Sequence, residues 1–333
     1  MAAPQDSEVL ISVRDLTVTY SSHWGPVDAV SGVSFEFYRG EILGLVGESG
    51  CGKSTLGKAL MRMLPQSAGI EGEILFDGED VLGYDDRQLR NFRGRRISMI
   101  FQDPMTSLNP VQRVGGHLTE AIEVHEGKRS KAGLRERIGQ LVERLGIQRS
   151  RLDDYPHQLS GGMRQRVMIG LGLALHPDLI IADEATTSLD VIVEAKLLDQ
   201  MREIRDQFQV SILLITHNIG LVAELADRVA VMYAGRMVEV GSVYEVFERP
   251  LHPYSVGLLN SVPNIELGER EELYKMPGEP PNLLLPPPGC RFHPRCPEAM
   301  PVCSKAEPAL LPVDGSRLVH CWLFQDHPEV AEA

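Results

Sequence analysis

The chain has 333 residues, a net charge of −13 and a sequence pI near 5.3, long enough for one large domain with an appendage or for two domains. With 43% hydrophobic and 24% charged residues it reads as a globular chain, not a disordered one, and the acidic balance argues against a general nucleic-acid coat. The longest apolar window, Val167 to Leu175, is about half the ~20 residues that a spanning helix needs, and Met1 to Glu8 lacks the basic-then-apolar pattern of a signal peptide. The expected location is the cytoplasm, with any membrane role supplied by a partner.

Residues 9–46 alternate in the manner of strands: Val9, Ile11 and Val13, then Leu16, Val18 and Tyr20, then Val33, Phe35 and Phe37. Ile42 to Val46 is a continuous apolar run, as in a strand buried on both faces. It leads into a glycine-rich turn and a helical pattern from Ser54 to Leu64. A further strand pair is expected at Gly72 to Phe76 and Ile97 to Phe101. Residues 107–176 read as mainly helical, and the Arg, Lys and Glu run from Ser130 to Arg151 reads as a solvated helix face. Apolar strands follow at Leu179 to Ala182 and Ser211 to Ile215, with a helix from about Val193 to Phe208 between them. Buried strands alternating with helices imply an α/β fold with a mainly parallel sheet. No internal repeat is visible. After about residue 262 the composition changes, and the six prolines between Met276 and Gly289 read as an extended linker.

Gly47-Glu48-Ser49-Gly50-Cys51-Gly52-Lys53-Ser54 fits G-x-x-x-x-G-K-[ST], set between a buried strand and a helix. Glycines let the backbone curl so that successive N–H groups face a β-phosphate, and the helix start adds its positive end. Lys53 then reaches the β- and γ-phosphates, and the Ser54 hydroxyl can ligate Mg²⁺. Cys51 fills a free position of the loop. Leu179 to Glu184 is an apolar strand ending in two carboxylates. Asp183 is a candidate Mg²⁺ holder, and Glu184 a candidate for orienting or deprotonating the attacking water. Ile212 to His217 is a similar strand ending in histidine, a candidate γ-phosphate contact. Gln102, after the strand from Ile97, is a candidate for a Mg²⁺ or water contact.

Leu159-Ser160-Gly161-Gly162-Met163 is similar to the signature of ATP-binding cassette ATPases. The motifs stand in that family's order: residues 47–54, Gln102, 159–163, Asp183-Glu184, Ser188-Leu189-Asp190 and His217. The resemblance implies a P-loop core with an N-terminal antiparallel β subdomain and a helical signature subdomain at about 105–176. It implies ATP and Mg²⁺ as ligands, with Glu184, His217, Lys53 and Gln102 catalytic. Its nucleotide contacts fall on Tyr20 (stacking on adenine), Gly47, Ser49, Gly50, Cys51, Gly52, Lys53, Ser54, Thr55, Ser160, Gly161, Gly162 and Asp190. Ser54, Gln102 and Asp183 would serve Mg²⁺. In such proteins each ATP lies between one subunit's phosphate loop and the other's signature. Met163 and Asn218 depart from the commoner Gln and Asp.

Phe101 to Pro110, Arg249 to Tyr254 and Pro288 to Pro297 resemble the matching stretches of dipeptide/oligopeptide importer ATPases. That resemblance implies peptide uptake at the cytoplasmic face of a membrane. It also implies a second, related ATPase subunit, two permeases and an extracellular solute-binding protein, with no nucleic acid. Some relatives carry oligosaccharides, glutathione or nickel, and a soluble cassette ATPase is the remaining alternative. The expected domains are 1–262, the nucleotide-binding domain, and 263–333, the linker and cysteine tail.

Four of the five cysteines crowd the tail: Cys290, Cys296, Cys303 and Cys321. In a reducing compartment such a cluster suggests a metal or iron–sulfur site, not disulfides. The spacing is wider than the paired C-x-x-C of most zinc sites, and four thiolates match a [4Fe–4S] cluster, with Zn²⁺ or free thiols as alternatives. The tail resembles that of importer ATPases with such a cluster. Its expected role is to staple a segment too small to bury a core of its own.

Overall fold

The alternating apolar residues from Val9 onward fold as a long hairpin, and the continuous run at Ile42 to Val46 folds as a strand with all five residues buried. In chain order the strands are β1 (Val9–Ser22), β2 (Gly25–Tyr38), β3 (Ile42–Val46), β4 (Gly69–Phe76), β5 (Glu79–Asp80), β6 (Ile97–Ile100), β7 (Leu179–Asp183), β8 (Ser211–Ile215), β9 (Arg228–Tyr233), β10 (Arg236–Ser242), β11 (Leu311–Asp314) and β12 (Arg317–Val319). The helices are α1 (Lys53–Leu60), α2 (Asp86–Phe92), α3 (Val114–Glu126), α4 (Lys131–Arg144), α5 (Gly161–Leu173), α6 (Ile219–Leu225), α7 (Val243–Glu248) and α8 (Pro253–Asn260). The computed structural model describes residues 8–100, 108–184, 201–261, 276–315 and 317–326. The chain divides into two compact units, residues 1–82 with 214–333 and residues 83–213.

In the first unit, β1 pairs antiparallel with β2 on one side and β4 on the other, and β5 follows β4. Ile11, Val13, Leu16, Val18, Val33 and Phe37 are at most 2% exposed, as the alternation predicts, whereas Val9 is exposed and Leu10 buried where the register shifts between Val9 and Ile11. A second group of strands runs in the order β11-β12-β10-β9-β3. β3 and β9 are parallel, as expected of a strand buried on both faces. β9, β10, β12 and β11 are successively antiparallel. The β9–β10 turn uses Ala234 (φ 47°) and Gly235 (φ 83°), two left-handed residues suited to a tight hairpin.

In the second unit, β6 and β7 are parallel, in register from Ile97↔Leu179 to Ile100↔Ala182. The helical part buries Leu118 and Ile122 of α3, Leu134, Ile138 and Val142 of α4, and Val167, Ile169 and Leu173 of α5. The charge run does form a solvated face: Arg135 pairs with Asp153, and Arg149 with Glu136 and Glu143, all with side chains 41% or more exposed. Pairs of that kind add little stability.

Two expectations need correction. The helix after the glycine turn ends at Leu60 instead of Leu64, because Arg62 turns left-handed (φ 55°) ahead of Pro65. β4 and β6 do not pair with each other; β4 pairs with β1 and β5, and β6 with β7. Within the first unit the cysteine tail adds β12 to β10's ladder through Glu239↔Val319 and Val240↔Leu318. The expected helix between β7 and β8 is present over 201–208, and its first part, 193–200, lies outside the described residues.

Candidate functional site

The first unit carries the phosphate loop. Gly47 (φ 153°), Gly50 (φ 79°) and Gly52 (φ 107°) all lie at positive φ. At Gly47 an added Cβ would strike the Met232 carbonyl oxygen, and at Gly52 that of Ala29, so no side chain fits at either position. At Gly50 the same probe meets open space. Gly52 is the N-cap of α1 and offers no side-chain acceptor to the first-turn N–H groups. Lys53, 5% exposed, begins that helix. Its Nζ donates to the Gly47 carbonyl at 2.8 Å and the Glu48 carbonyl at 3.0 Å, and lies 3.7 Å from Cys51 Sγ. Burial pushes the Cys51 thiol pKa up, so this cysteine is a buried neutral thiol. Ser49, Ser54 and Thr55 follow the loop's turns into α1, and Tyr20 on β1 brings its hydroxyl within 3.5 Å of Thr55 Oγ1.

Thr216, at the end of β8, is buried, and its N–H donates to the Leu45 carbonyl at 3.2 Å, which ties this strand end to β3. His217 follows it and is exposed. Asn218 caps α6, accepting from the Leu221 N–H at 3.4 Å. Asn and Asp cap helices equally well, so the departure at this position has a plain physical reason.

The second unit carries the carboxylates and the signature. Asp183 ends β7 and is 8% exposed. Glu184, half-buried, stands just past the strand in the left-handed region (φ 47°), where a non-glycine residue costs of order 1 kcal/mol. Strain of that kind gathers at functional positions. Ser160 is the N-cap of α5 and accepts from the Met163 N–H at 3.3 Å. A Cβ added at Gly161 or Gly162 would meet nothing within 4 Å, so the backbone at this helix start is bare. It is a helix N-terminus with open approach for an anion. Gln102 and Asp190 lie outside the described residues.

The tail cysteines are free thiols; Cys290, Cys303 and Cys321 are buried and Cys296 half-buried. Burial pushes the pKa of Cys290 up to about 11 and that of Cys321 to about 12, with the other tail thiols adding to the shift. Among the described residues, however, no three His, Cys, Asp or Glu side chains come together as a group that could hold a metal ion.

Sequence reading missed two buried ion pairs that build the first unit. Glu41 and Arg228 meet at 3.1 Å, both 6% exposed at the side chain, with Arg228 over the Tyr38 ring. Glu239, fully buried, accepts from Arg317 Nε at 3.2 Å and from the Leu251 and His252 N–H groups at 3.0 Å each. For Glu239, a carboxylate inside the apolar strand β10, that placement was the available signal.

A glycine loop with a lysine at the head of a helix, a strand ending in two carboxylates, and a serine–diglycine helix start define a cassette-type ATPase. The family model described as ABC transporter matches residues 30–187, and that described as oligopeptide/dipeptide transporter, C-terminal region, matches residues 238–303. The chain is 47% identical to the dipeptide transport ATP-binding protein DppD of Bacillus subtilis (strain 168), over 97% of each chain. It is also 47% identical to the oligopeptide transport ATP-binding protein OppD of Salmonella typhimurium, over 92% of this chain and 91% of that one. The dimeric structure of MJ0796, a bacterial ABC transporter cassette, matches with a TM-score of 0.61 and 25% identity over 70% of this chain and 98% of that one. The chain belongs to the ABC transporter family of ATPases, among the dipeptide and oligopeptide transport ATP-binding proteins. Among the described residues no helix is long and apolar enough to cross a membrane.

Proposed function

We propose that this chain is the ATP-hydrolysing subunit of a membrane importer for di- and oligopeptides, seated on the cytoplasmic side against two permease subunits that receive cargo from an extracellular binding protein. Residues 1–262 act as the nucleotide-binding domain, with a helical subdomain at about 105–176, and 263–333 as a linker and tail. ATP is clasped between the phosphate loop of one ATPase subunit and the Ser160–Gly162 helix start of the other. The second subunit is a related ATPase. The phosphate loop carries this reading: its glycines take the positive-φ turns by which such a loop curls its backbone around phosphate, and Lys53 stands at the head of α1.

In this reading Tyr20 stacks on adenine, and Gly47, Ser49, Gly50, Cys51, Gly52 and Thr55 wrap the phosphates. Lys53 offsets charge that develops on the γ-phosphate. Glu184 polarises the attacking water, His217 steadies water and γ-phosphate, and Asp190 contacts the nucleotide side of the subunit boundary. Ser54, Gln102 and Asp183 supply the all-oxygen donor set that suits Mg²⁺, which neutralises phosphate charge when bound.

The tail's four free thiols are the donor chemistry that an iron–sulfur cluster takes, with zinc as the alternative. Cys290, Cys296, Cys303 and Cys321 would be the ligands. Anaerobic purification tests this: a brown protein with absorbance near 400 nm and bound iron supports the cluster, and a colourless protein with neither iron nor zinc rejects a metal at the tail.

The function is tested by reconstituting the chain with its permeases, binding protein and partner ATPase in vesicles. ATP hydrolysis that rises with peptide-loaded binding protein, together with uptake of labelled peptide, is the expected result. Hydrolysis stimulated by a sugar or nickel and not by peptides would replace the cargo; hydrolysis independent of any permease would remove the transport role.

A further inference from the structure

Arg295, the residue before Cys296, is anchored within the tail and also reaches out of it. It reaches Glu48, the second residue of the phosphate loop, in a two-pronged ion pair with Nη–Oε distances of 2.8 and 3.0 Å. Its side chain is 6% exposed. Its Nε donates to the Pro277 carbonyl at 2.8 Å, and Nη1 to the Tyr233 hydroxyl at 3.3 Å. A planar fork held at three points is a rigid reference, unlike a solvated surface pair.

Glu48 is gripped a second time. Its backbone N–H donates to the Tyr254 hydroxyl at 2.9 Å. Tyr254 is fully buried and packs against Tyr233 and the tail's Phe292 at ring distances of 4.5 and 5.5 Å. The Glu48 carbonyl in turn accepts from Lys53 Nζ at 3.0 Å. One loop residue thus links the tail's guanidinium, a buried tyrosine and the lysine of the phosphate site. The phosphate loop's own glycines supply no such rigidity.

We propose that Arg295 and Tyr254 are positioning residues for nucleotide binding: they fix Glu48, and through it the curvature of the phosphate loop, so that the folded tail sets the affinity of Lys53's site for ATP. Loosening the tail would release the fork, let residues 47–52 relax and weaken nucleotide binding without touching a catalytic group. The inference rests on the nucleotide reading of the loop given above.

The test uses the full chain and the non-hydrolysable probe MgAMP-PNP in calorimetric titrations, with thermal melts in the absence of nucleotide as a folding control. R295A and E48Q are each expected to weaken binding about tenfold, the scale of one lost charged hydrogen-bonded pair, and R295K to recover only part of it. Y254F, which deletes only the acceptor of the Glu48 N–H, is expected to weaken binding several-fold. The E48R/R295E exchange should bind better than either single charge reversal. In the assembled transporter the KM for ATP should rise with kcat little changed. If R295A does not fold, E48Q weakens the same ion pair from the loop side and Y254F removes the second grip. Wild-type affinity in folded E48Q and Y254F would overturn the proposal while leaving the site intact, whereas a wild-type chain that fails to bind MgAMP-PNP would overturn the nucleotide reading itself.

Discussion

The ammonium group of Lys53 rests on its own loop, donating to the carbonyls of Gly47 at 2.8 Å and Glu48 at 3.0 Å. The lysine therefore has two tasks. Without ligand it ties the loop's two ends, and with ligand it must exchange those carbonyls for phosphate oxygens.

Removing it should show both. Lys53→Ala is expected to abolish measurable MgATP binding and also to lower the stability of the ligand-free chain by about 1–3 kcal/mol, the cost of leaving buried carbonyls unsatisfied. Calorimetric titration and urea unfolding of one preparation separate the two effects. Unchanged unfolding would mean that the lysine has no structural share.

Glu184 stands at φ 47° just past a buried strand that ends in Asp183. Glu184→Gln keeps the shape and the backbone but removes the base. ATP binding is expected to persist while turnover in the assembled transporter drops by a factor of about 10² or more. Turnover at the wild-type rate would take Glu184 out of that role.

Within the first unit the tail is joined to β10 by Arg317, which pairs with the fully buried Glu239 and also donates to the Arg249 carbonyl. Arg317→Ala leaves that carboxylate buried without its cation. A loss of about 3–5 kcal/mol is expected in urea unfolding, as for other broken buried pairs. Tail residues near 317–319 should also become cleavable by protease. A loss below ~0.5 kcal/mol would place the tail's attachment elsewhere.

His252 is 1% exposed, and its Nδ1 accepts the Tyr254 N–H at 3.0 Å. Burial, with His320 nearby, holds its pKa down at about 3. In the unfolded chain it titrates near 6.5, so below that pH the unfolded state binds a proton that the folded state refuses. Stability should therefore fall as pH drops from about 6.5 toward 3, by up to about 1.4 kcal/mol per pH unit for this one group. His252→Asn keeps a capping acceptor and has no such proton, so its stability should depend less steeply on pH. Equal slopes for the two proteins would exclude His252 as a source.

Much of this was legible in the sequence because its signals are local. The loop from Gly47 to Ser54 announces itself by spacing, and the strand at Ile42 to Val46 by its unbroken apolarity. The contacts that organise the tail were not legible. Arg295 and Glu48 are 247 positions apart, and Arg317 and Glu239 are 78 apart. Neither pair has a periodicity to betray it. The tail read as a separate piece because its prolines forbid regular structure over Met276 to Gly289, and three-residue β12 is too short to give an alternating signal. The thiols show the reverse case: a clear pattern at Cys290, Cys296, Cys303 and Cys321, with no metal-holding group of three His, Cys, Asp or Glu found among the described residues.

The most direct measurement of the central claim is a cryo-electron microscopy structure of the assembled transporter carrying Glu184→Gln and loaded with MgATP. The account predicts Ser160 Oγ and the Gly162 N–H at hydrogen-bond distance, about 3 Å, from a γ-phosphate held by the partner ATPase's phosphate loop. A nucleotide-filled complex in which Ser160 to Gly162 face only water would contradict it.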